Sequence, residues 1–463
     1  MAGKCRGNER DMEKQMNRII IDRAVVEGDT IRYKVSEMGE LNLLQKDNVE
    51  LFVRYQGSEG IDWGINQVPQ SILLISISLY LIPLTWFYDV ELVIPEMDED
   101  LYNHLPSIYD AYSKIYGPFD RKWGGKVSVG KVVEYHTIGK AKYDRIVFFS
   151  GGVDACHAGI NNPGPRTLLV SIPDIETNAH YIGPLREEKF SLIKNFSEIT
   201  HSDWLIIENN FNLSLHNSPK IQTYLSQVIK LDSPAFQFDG FGGIRYLSNM
   251  CCCAPVAYRF GVSKLIMGSS FEQLEDRMNI NLDGTNPNLT EAIGFADVRF
   301  AEQDGITTRR STKVKKIIEW CRKRNVKTKM WVCFKDNSSQ CGFCNKCMRT
   351  QLNILCCGED PREWGFDNFK ENKFTKFVKS YHYQESNPCW LWDINDSINL
   401  ERQYPYCNNL LHWLKDIGYN IYIQKASNTP PPHSERLFLK RISHIRKYPY
   451  YIKTILVRLL NYN

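Results

Sequence analysis

The chain opens with alternation of apolar and polar positions. Ile19-Ile20-Ile21 and Ile31-Arg32-Tyr33-Lys34-Val35 flank a turn at Glu27-Gly28-Asp29, which predicts a hairpin over Arg18–Val35. Val49–Tyr55 reads as a further strand, and Asp89–Ile94 alternates like a half-buried one. Between them lies an unbroken apolar run, Ile72–Ile82. It holds about 11 residues, short of the roughly 20 that a bilayer requires, and Pro83 follows it. It is read as a buried helix. Pro95-Glu96-Met97-Asp98 is expected to start a helix over Asp100–Ile115.

From about residue 141 the pattern changes to short apolar runs separated by helical ones. Strands are expected at Ile146–Phe149, Thr167–Ile172, Trp204–Ile207 and Lys264–Met267. Helices are expected after Val153, from Pro184 to about Glu198, over Arg245–Tyr258 with a break near Pro255, and over Val314–Lys323. Alternation of this kind implies an α/β fold, a doubly wound parallel sheet that binds ligands beyond the carboxyl ends of its strands. Ser150–Asp154, Ser171 and Gly268–Ser270 all lie at or after such ends.

At 463 residues the chain exceeds one ordinary core. The expected division is a disordered N-terminus over 1–17, an N-terminal α+β domain over 18–140 and a core over 141–360. A helical extension over 361–427 and a linker with a basic tail over 428–463 complete it. Residues 18–140 hold no motif that can be turned into chemistry, which leaves substrate selection or a homodimer contact as their roles. The polar segment Met1–Arg18 lacks the apolar centre of a signal peptide. Fourteen cysteines without an export signal suggest a reducing, cytoplasmic setting. A net charge of +4 gives only weak support for a polyanionic partner.

Ser150-Gly151-Gly152-Val153-Asp154 carries the sharpest local chemistry. A strand, a glycine turn and a helix N-terminus make an anion site, since the first amides of a helix have no intrahelical partner and carry partial positive charge. The glycines let the backbone close on a phosphate. A Walker loop is excluded because no Gly-Lys-Ser/Thr follows, and a dinucleotide fingerprint because a third glycine is missing at its offset.

The loop resembles the Ser-Gly-Gly-x-Asp-Ser signature of the PP-loop ATP pyrophosphatases, with Ala155 in place of the last serine. The resemblance implies a PP-loop (HUP-like) core that binds ATP with Mg²⁺ on Ser150, Gly151, Gly152, Val153, Asp154 and Ala155. Adenine would lie near Ser171 and Gly268, and pyrophosphate would leave as a substrate oxygen is adenylated. Asp154 would hold Mg²⁺ or order the loop. In the 7-cyano-7-deazaguanine synthase branch an Arg/Asn-containing helix precedes a strand and a glycine at the crevice. Arg245, Asn249 and Gly268 are loosely similar. The family also places a Thr/Ser-Lys before a helix. Arg309, Arg310 and Lys313 stand at a similar point, as cations able to stabilise the leaving pyrophosphate.

Cys333-x7-Cys341-x2-Cys344-x2-Cys347 is the most specific signal in the chain. Four thiolates at this spacing suit a closed tetrahedral zinc site with a structural role. Gly342, Asn345 and Lys346 permit tight turns, and Lys335, Lys346 and Arg349 offset the tetrathiolate charge. An iron–sulfur cluster is the minor alternative. Cys356-Cys357 are alternative ligands, but a helix over Arg349–Leu355 carries them away. The same synthase branch has a four-cysteine zinc site of nearly the same spacing, in the same order along the chain. In domain order the added N-terminal domain resembles that of larger family members, such as the ATP-dependent epimerase of muramoyl-peptide glutamate and homologues in polysaccharide and phage-defence loci.

Cys251-Cys252-Cys253 and Cys156 are read as buried helix residues, Cys156 rather than as a nucleophile, and His157, which could contact a ligand from the first turn, is read as non-catalytic. Arg436, Lys440, Arg441, Arg446, Lys447, Lys453 and Arg458 interleave with apolar residues in the tail. Such a tail docks on the body of the protein, or on a partner protein, an anionic membrane or nucleic acid. The expected function is ATP-dependent adenylation of a carboxylate or amide oxygen. The alternatives are an epimerase of cell-wall or polysaccharide biosynthesis, and a degenerate nucleotide-binding protein that docks a partner.

Overall fold

The computed structural model describes residues 17–38, 49–87, 90–116, 126–135, 141–173, 184–211, 248, 250–270, 287–333, 339–380 and 388–418. Arg245, Asn249, Lys335 and the basic tail lie outside these residues.

The N-terminal third contributes six strands: β1 (Arg18–Ile21), β2 (Val25–Glu27), β3 (Thr30–Met38), β4 (Val49–Gly57), β5 (Glu91–Asp98) and β6 (Lys126–Val133). The expected hairpin turn joins β2 to β3, where Glu27 pairs with Thr30. The segment Pro95–Asp98 is not a helix start. It continues β5, which lies between β1 and β6 and pairs with both. The helix α3 begins one residue later (Glu99–Tyr116), with Asp98 accepting the Leu101 amide as an N-terminal cap. The apolar run forms one turn, α1 (Gln70–Leu73), and the helix α2 (Ile75–Phe87), which continues through Pro83. Among the described residues no helix is long and apolar enough to cross a membrane.

The remaining strands are β7 (Arg145–Phe148), β8 (Thr167–Ser171), β9 (Asp203–Asn209), β10 (Lys264–Gly268), β11 (Gly294–Phe295) and β12 (Val298–Asp304). Between and after them run α4 (Val153–Asn161), α5 (Pro184–Thr200), α6 (Ala254–Arg259), α7 (Pro287–Glu291), α8 (Arg310–Arg324) and α9 (Asn345–Cys356). The C-terminal extension adds α10 (Glu371–Ser380), α11 (Pro388–Ser397) and α12 (Asn408–Trp413). Pro255 sits in the first turn of α6, where its missing N–H costs nothing.

The twelve strands among the described residues join in one sheet, in the order β11-β12-β10-β7-β8-β9-β4-β3-β1-β5-β6 with β2 beside β3. The expected parallel sheet is its central part. β12, β10, β7, β8 and β9 are mutually parallel. β4 then joins β9 in antiparallel register, from Val53 opposite Asn209 to Gly57 opposite Leu205. The N-terminal strands therefore extend the core sheet without a break, although in chain order the expected boundary falls between β6 and β7.

Strand alternation sends the two sets of side chains into two cores. Ile146, Leu168, Val170, Leu205, Ile207, Leu265 and Met267 pack with α1, α2, α6 and the buried Cys251–Cys253. Val147, Leu169, Ile206 and Ile266 pack on the other face with α4, α5, α8 and α9 and with Phe374, Ile394 and Leu410 of the C-terminal helices.

Candidate functional site

Counted in chain order, the parallel strands lie as third, second, first, fourth and fifth across the sheet. The order reverses between β7 and β10. Crevices form at such a reversal, where the loops of two neighbouring strands leave in opposite directions. Both glycine-containing loops of interest lie there.

After β7 the chain turns through Ser150-Gly151-Gly152 into α4. Gly151 has φ +79°, a left-handed conformation that favours glycine. Its carbonyl accepts the Trp331 amide at 2.7 Å. Gly152 is the N-cap and offers no side-chain cap, so the first amides of α4 are left for another acceptor. Val153 and Ala155 turn into the core, at 1% and 6% exposure. Ser171 ends β8, two strands from β10. Gly268 ends β10, and its role is close packing. A Cβ there would lie 2.2 Å from the Asp154 carbonyl oxygen, so only glycine allows β10 to meet the first turn of α4.

Asp154 is the hub. Lys313, fully buried, donates to Asp154 Oδ1 at 2.7 Å and also to the carbonyl of Ser269. Arg310 donates to Asp154 Oδ2 at 3.1 Å and to Thr350 Oγ1 at 3.2 Å. Burial alone raises the Asp154 pKa, but Arg310, Lys313 and Arg349 outweigh it and hold the carboxyl down to about 2. Of the expected cationic trio, Arg310 and Lys313 reach the loop, whereas Arg309 pairs with Asp396 on α11. Arg309 is the N-cap of α8 with extended backbone (φ −57°, ψ 149°), whereas Arg310 is the first helical residue, which separates the two side chains. At the N-terminus of α8 one amide is already taken, because Asp393 accepts from the Ser311 amide at 3.0 Å and hydroxyl at 2.6 Å.

The other cations come from α9. Lys346, Arg349 and Thr350 follow an i, i+3, i+4 spacing and share one face. Thr350 Oγ1 donates to the Lys346 carbonyl at 2.8 Å and accepts from Arg310, so that face abuts the α8 cations. Burial, then the charges of Arg349 and Arg310, lower the Lys346 ammonium to about 7. Sequence reasoning assigned Lys346 and Arg349 to charge balance at the knuckle and missed this face, although the helical spacing was a usable signal.

On the far side of α4, His157 Nδ1 lies 2.5 Å from Asp304 Oδ1, and Asn161 donates to Asp304 Oδ2 at 2.8 Å. The pair is buried and fastens α4 to the end of β12. Cys156 is fully buried, and burial pushes its thiol well up, which removes it as a nucleophile.

The four expected metal ligands converge. The sulfurs of Cys333, Cys341, Cys344 and Cys347 all lie within 4.8 Å of one another. Tetrahedral zinc with bonds of about 2.3 Å places sulfurs roughly 3.8 Å apart, so the cluster can hold such an ion after a small contraction. Backbone amides point at the sulfurs: Phe343 and Cys344 donate to Cys341 Sγ at 3.4 and 3.2 Å, and Cys347 donates to Cys344 Sγ at 3.4 Å. This is a donor set for thiolates. Without a cation, the hydrogen bond with Cys344 and burial push the Cys347 thiol far up. Zinc chemistry reverses that. Cys356 and Cys357 end α9 and its cap, outside the cluster. Gln340, buried, bonds the Val332 amide and the Met330 and Gly365 carbonyls. It ties the knuckle to the Met330–Val332 stretch that covers Gly151.

Comparison with protein-family models, curated proteins and solved structures finds no match to the chain.

Proposed function

We propose that the protein is an ATP-dependent adenylating enzyme of the PP-loop kind. The observation that carries this reading is the charge at the switch point. Arg310 and Lys313 bond one carboxylate, Asp154, beside a helix N-terminus without a side-chain cap, and the face of α9 that carries Lys346 and Arg349 meets Arg310 through Thr350. Basic side chains that outnumber the one carboxylate, largely out of water, suit a polyanion.

In this reading the ATP polyphosphate lies on Ser150–Ala155, with Mg²⁺ carried on its oxygens. Both Asp154 oxygens are engaged by Lys313 and Arg310, so Asp154 orders the cations rather than ligating the metal. A substrate carboxylate oxygen attacks the α-phosphorus, the bond to the bridging oxygen breaks, and pyrophosphate leaves with the electron pair. The cations stabilise the charge that develops on it. The acyl-adenylate then goes to an amine or loses its α-proton, which are the synthase-like and epimerase-like continuations.

A second reading has one observation behind it. Ala155 puts a methyl group in the core where the resembled loop has a hydroxyl, which suits a protein that holds nucleotide without turnover. The test is ATP consumption with Mg²⁺ across a panel of carboxylates, resolving AMP plus pyrophosphate from ADP plus phosphate. AMP with pyrophosphate is the expected result. ADP with phosphate overturns the adenylating reading. Tight ATP binding with no product on any carboxylate favours the second.

A further inference from the structure

The four-cysteine knuckle and the phosphate loop are joined by short chain segments on both sides. Trp331 donates its amide to Gly151, and Cys333 follows two residues later. Cys344 is the N-cap of α9, its sulfur accepting from the Cys347 amide, and Cys347 lies in the first turn. Gln351 Nε2 reaches back to the Gly342 carbonyl at 2.7 Å. The knuckle thus sets where α9 begins and how it is rotated. That rotation turns Thr350 toward Arg310, and Lys346 and Arg349 lie on the same face of α9 by their spacing. Arg310 Nε is itself buried without a hydrogen-bond partner, in a place where like charges already crowd. Like charges held together out of water repel, and an anion that joins them relieves the repulsion.

We propose that Lys346 and Arg349 bind the polyphosphate of the nucleotide, and that the metal knuckle holds them in place, so that metal and nucleotide binding are coupled. This rests on the nucleotide reading above and adds two ligand-binding residues and a function for the metal. The knuckle then serves as part of the anion site as well as a local staple. Coupling of this kind is reciprocal: a bound anion must tighten metal retention by the factor by which metal tightens anion binding.

The experiment is calorimetric titration of the full-length, zinc-loaded protein with Mg²⁺-ATP and separately with inorganic pyrophosphate. Lys346→Gln and Arg349→Gln are compared with Arg322→Gln, an exposed control. Zinc content and melting temperature are measured on each variant. The expected result is a loss of tenfold or more in affinity for both ligands with Lys346→Gln and Arg349→Gln, at unchanged zinc content, and no change with Arg322→Gln. Lys346, at the partly exposed edge of α9, decides the matter if Arg349→Gln does not fold. In a second measurement a chromophoric chelator competes for zinc, and saturating pyrophosphate is expected to slow or weaken its capture several-fold. Wild-type affinity in a folded, zinc-loaded Lys346→Gln variant overturns the assignment while leaving the nucleotide reading intact. Zinc capture indifferent to pyrophosphate overturns the coupling. Failure of the wild-type protein to bind either ligand overturns the nucleotide reading and this inference together.

Discussion

The two faces of the central sheet are built from the same four strands, yet they differ in kind. On the face covered by α1, α2 and α6 the buried polar groups are mainly hydroxyls, Ser71, Ser76, Ser78, Thr85 and Ser248, with Asp98 at a strand end. Ser76 and Ser248 bond backbone carbonyls of each other's segments. On the face covered by α4, α8 and α9 the buried polar groups include Lys313, His157, Asp304, Arg349 and Asp393. Burying ions costs far more than burying hydroxyls, so the second face gives up stability that the first supplies. One face holds the fold together and the other holds charges where a ligand can use them.

The largest effect that would sharpen this contrast is expected at the knuckle. Cys347→Ser should remove the metal and cost several kcal/mol, read as loss of bound zinc and a much lower melting temperature. A variant that keeps its zinc and its stability would show that the sulfurs are not ligands. Next, Lys313→Met leaves Asp154 with one direct cation fewer and should cost about 3–5 kcal/mol in a denaturant melt. A cost under about 1 kcal/mol would mean that the Lys313–Asp154 pair adds nothing net to the stability of the second face. On the first face, Ile77→Ala opens a cavity and should cost about 2–5 kcal/mol while leaving nucleotide affinity untouched. A fall in that affinity would break the division of labour between the faces.

Gly268→Ala should cost about 1–3 kcal/mol, because its Cβ meets the Asp154 backbone and α4 must move. Nucleotide affinity should fall with it. The smallest effect is one of pH. The Asp154 carboxyl is depressed in the folded state, so its contribution is present above the unfolded value near 4 and is lost as pH falls through about 2. About 2 kcal/mol should disappear over that window in the wild type and not in Asp154→Asn. Equal acid curves for the two proteins would remove Asp154 from its place as the hub.

Much of the site was legible along the chain. The strand before Ser150, the glycine turn and the helix after it need only local pattern and local turn chemistry, and the cysteine spacing needs only counting. Arg310 and Lys313 were legible as a group with Arg309, but not which of them turns toward the loop. Lys346 and Arg349 were visible as cations beside cysteines, but not that their face of α9 meets Arg310 on another helix, near the loop that holds Asp154.

What the sequence by itself determined is therefore the strand, glycine turn and helix around Ser150 and the four cysteines that cluster, because periodicity, glycine and thiol spacing act over a few residues. Only the tertiary structure decided that β4 pairs with β9 and merges the N-terminal strands into the core sheet. It also decided that Arg309 faces Asp396 while Arg310 faces Asp154, and that one face of α9 completes the cationic cluster. Such choices depend on which distant surfaces meet and on the rotation of each helix when they do. Local sequence leaves both open, since many pairings satisfy the same pattern of apolar and polar residues.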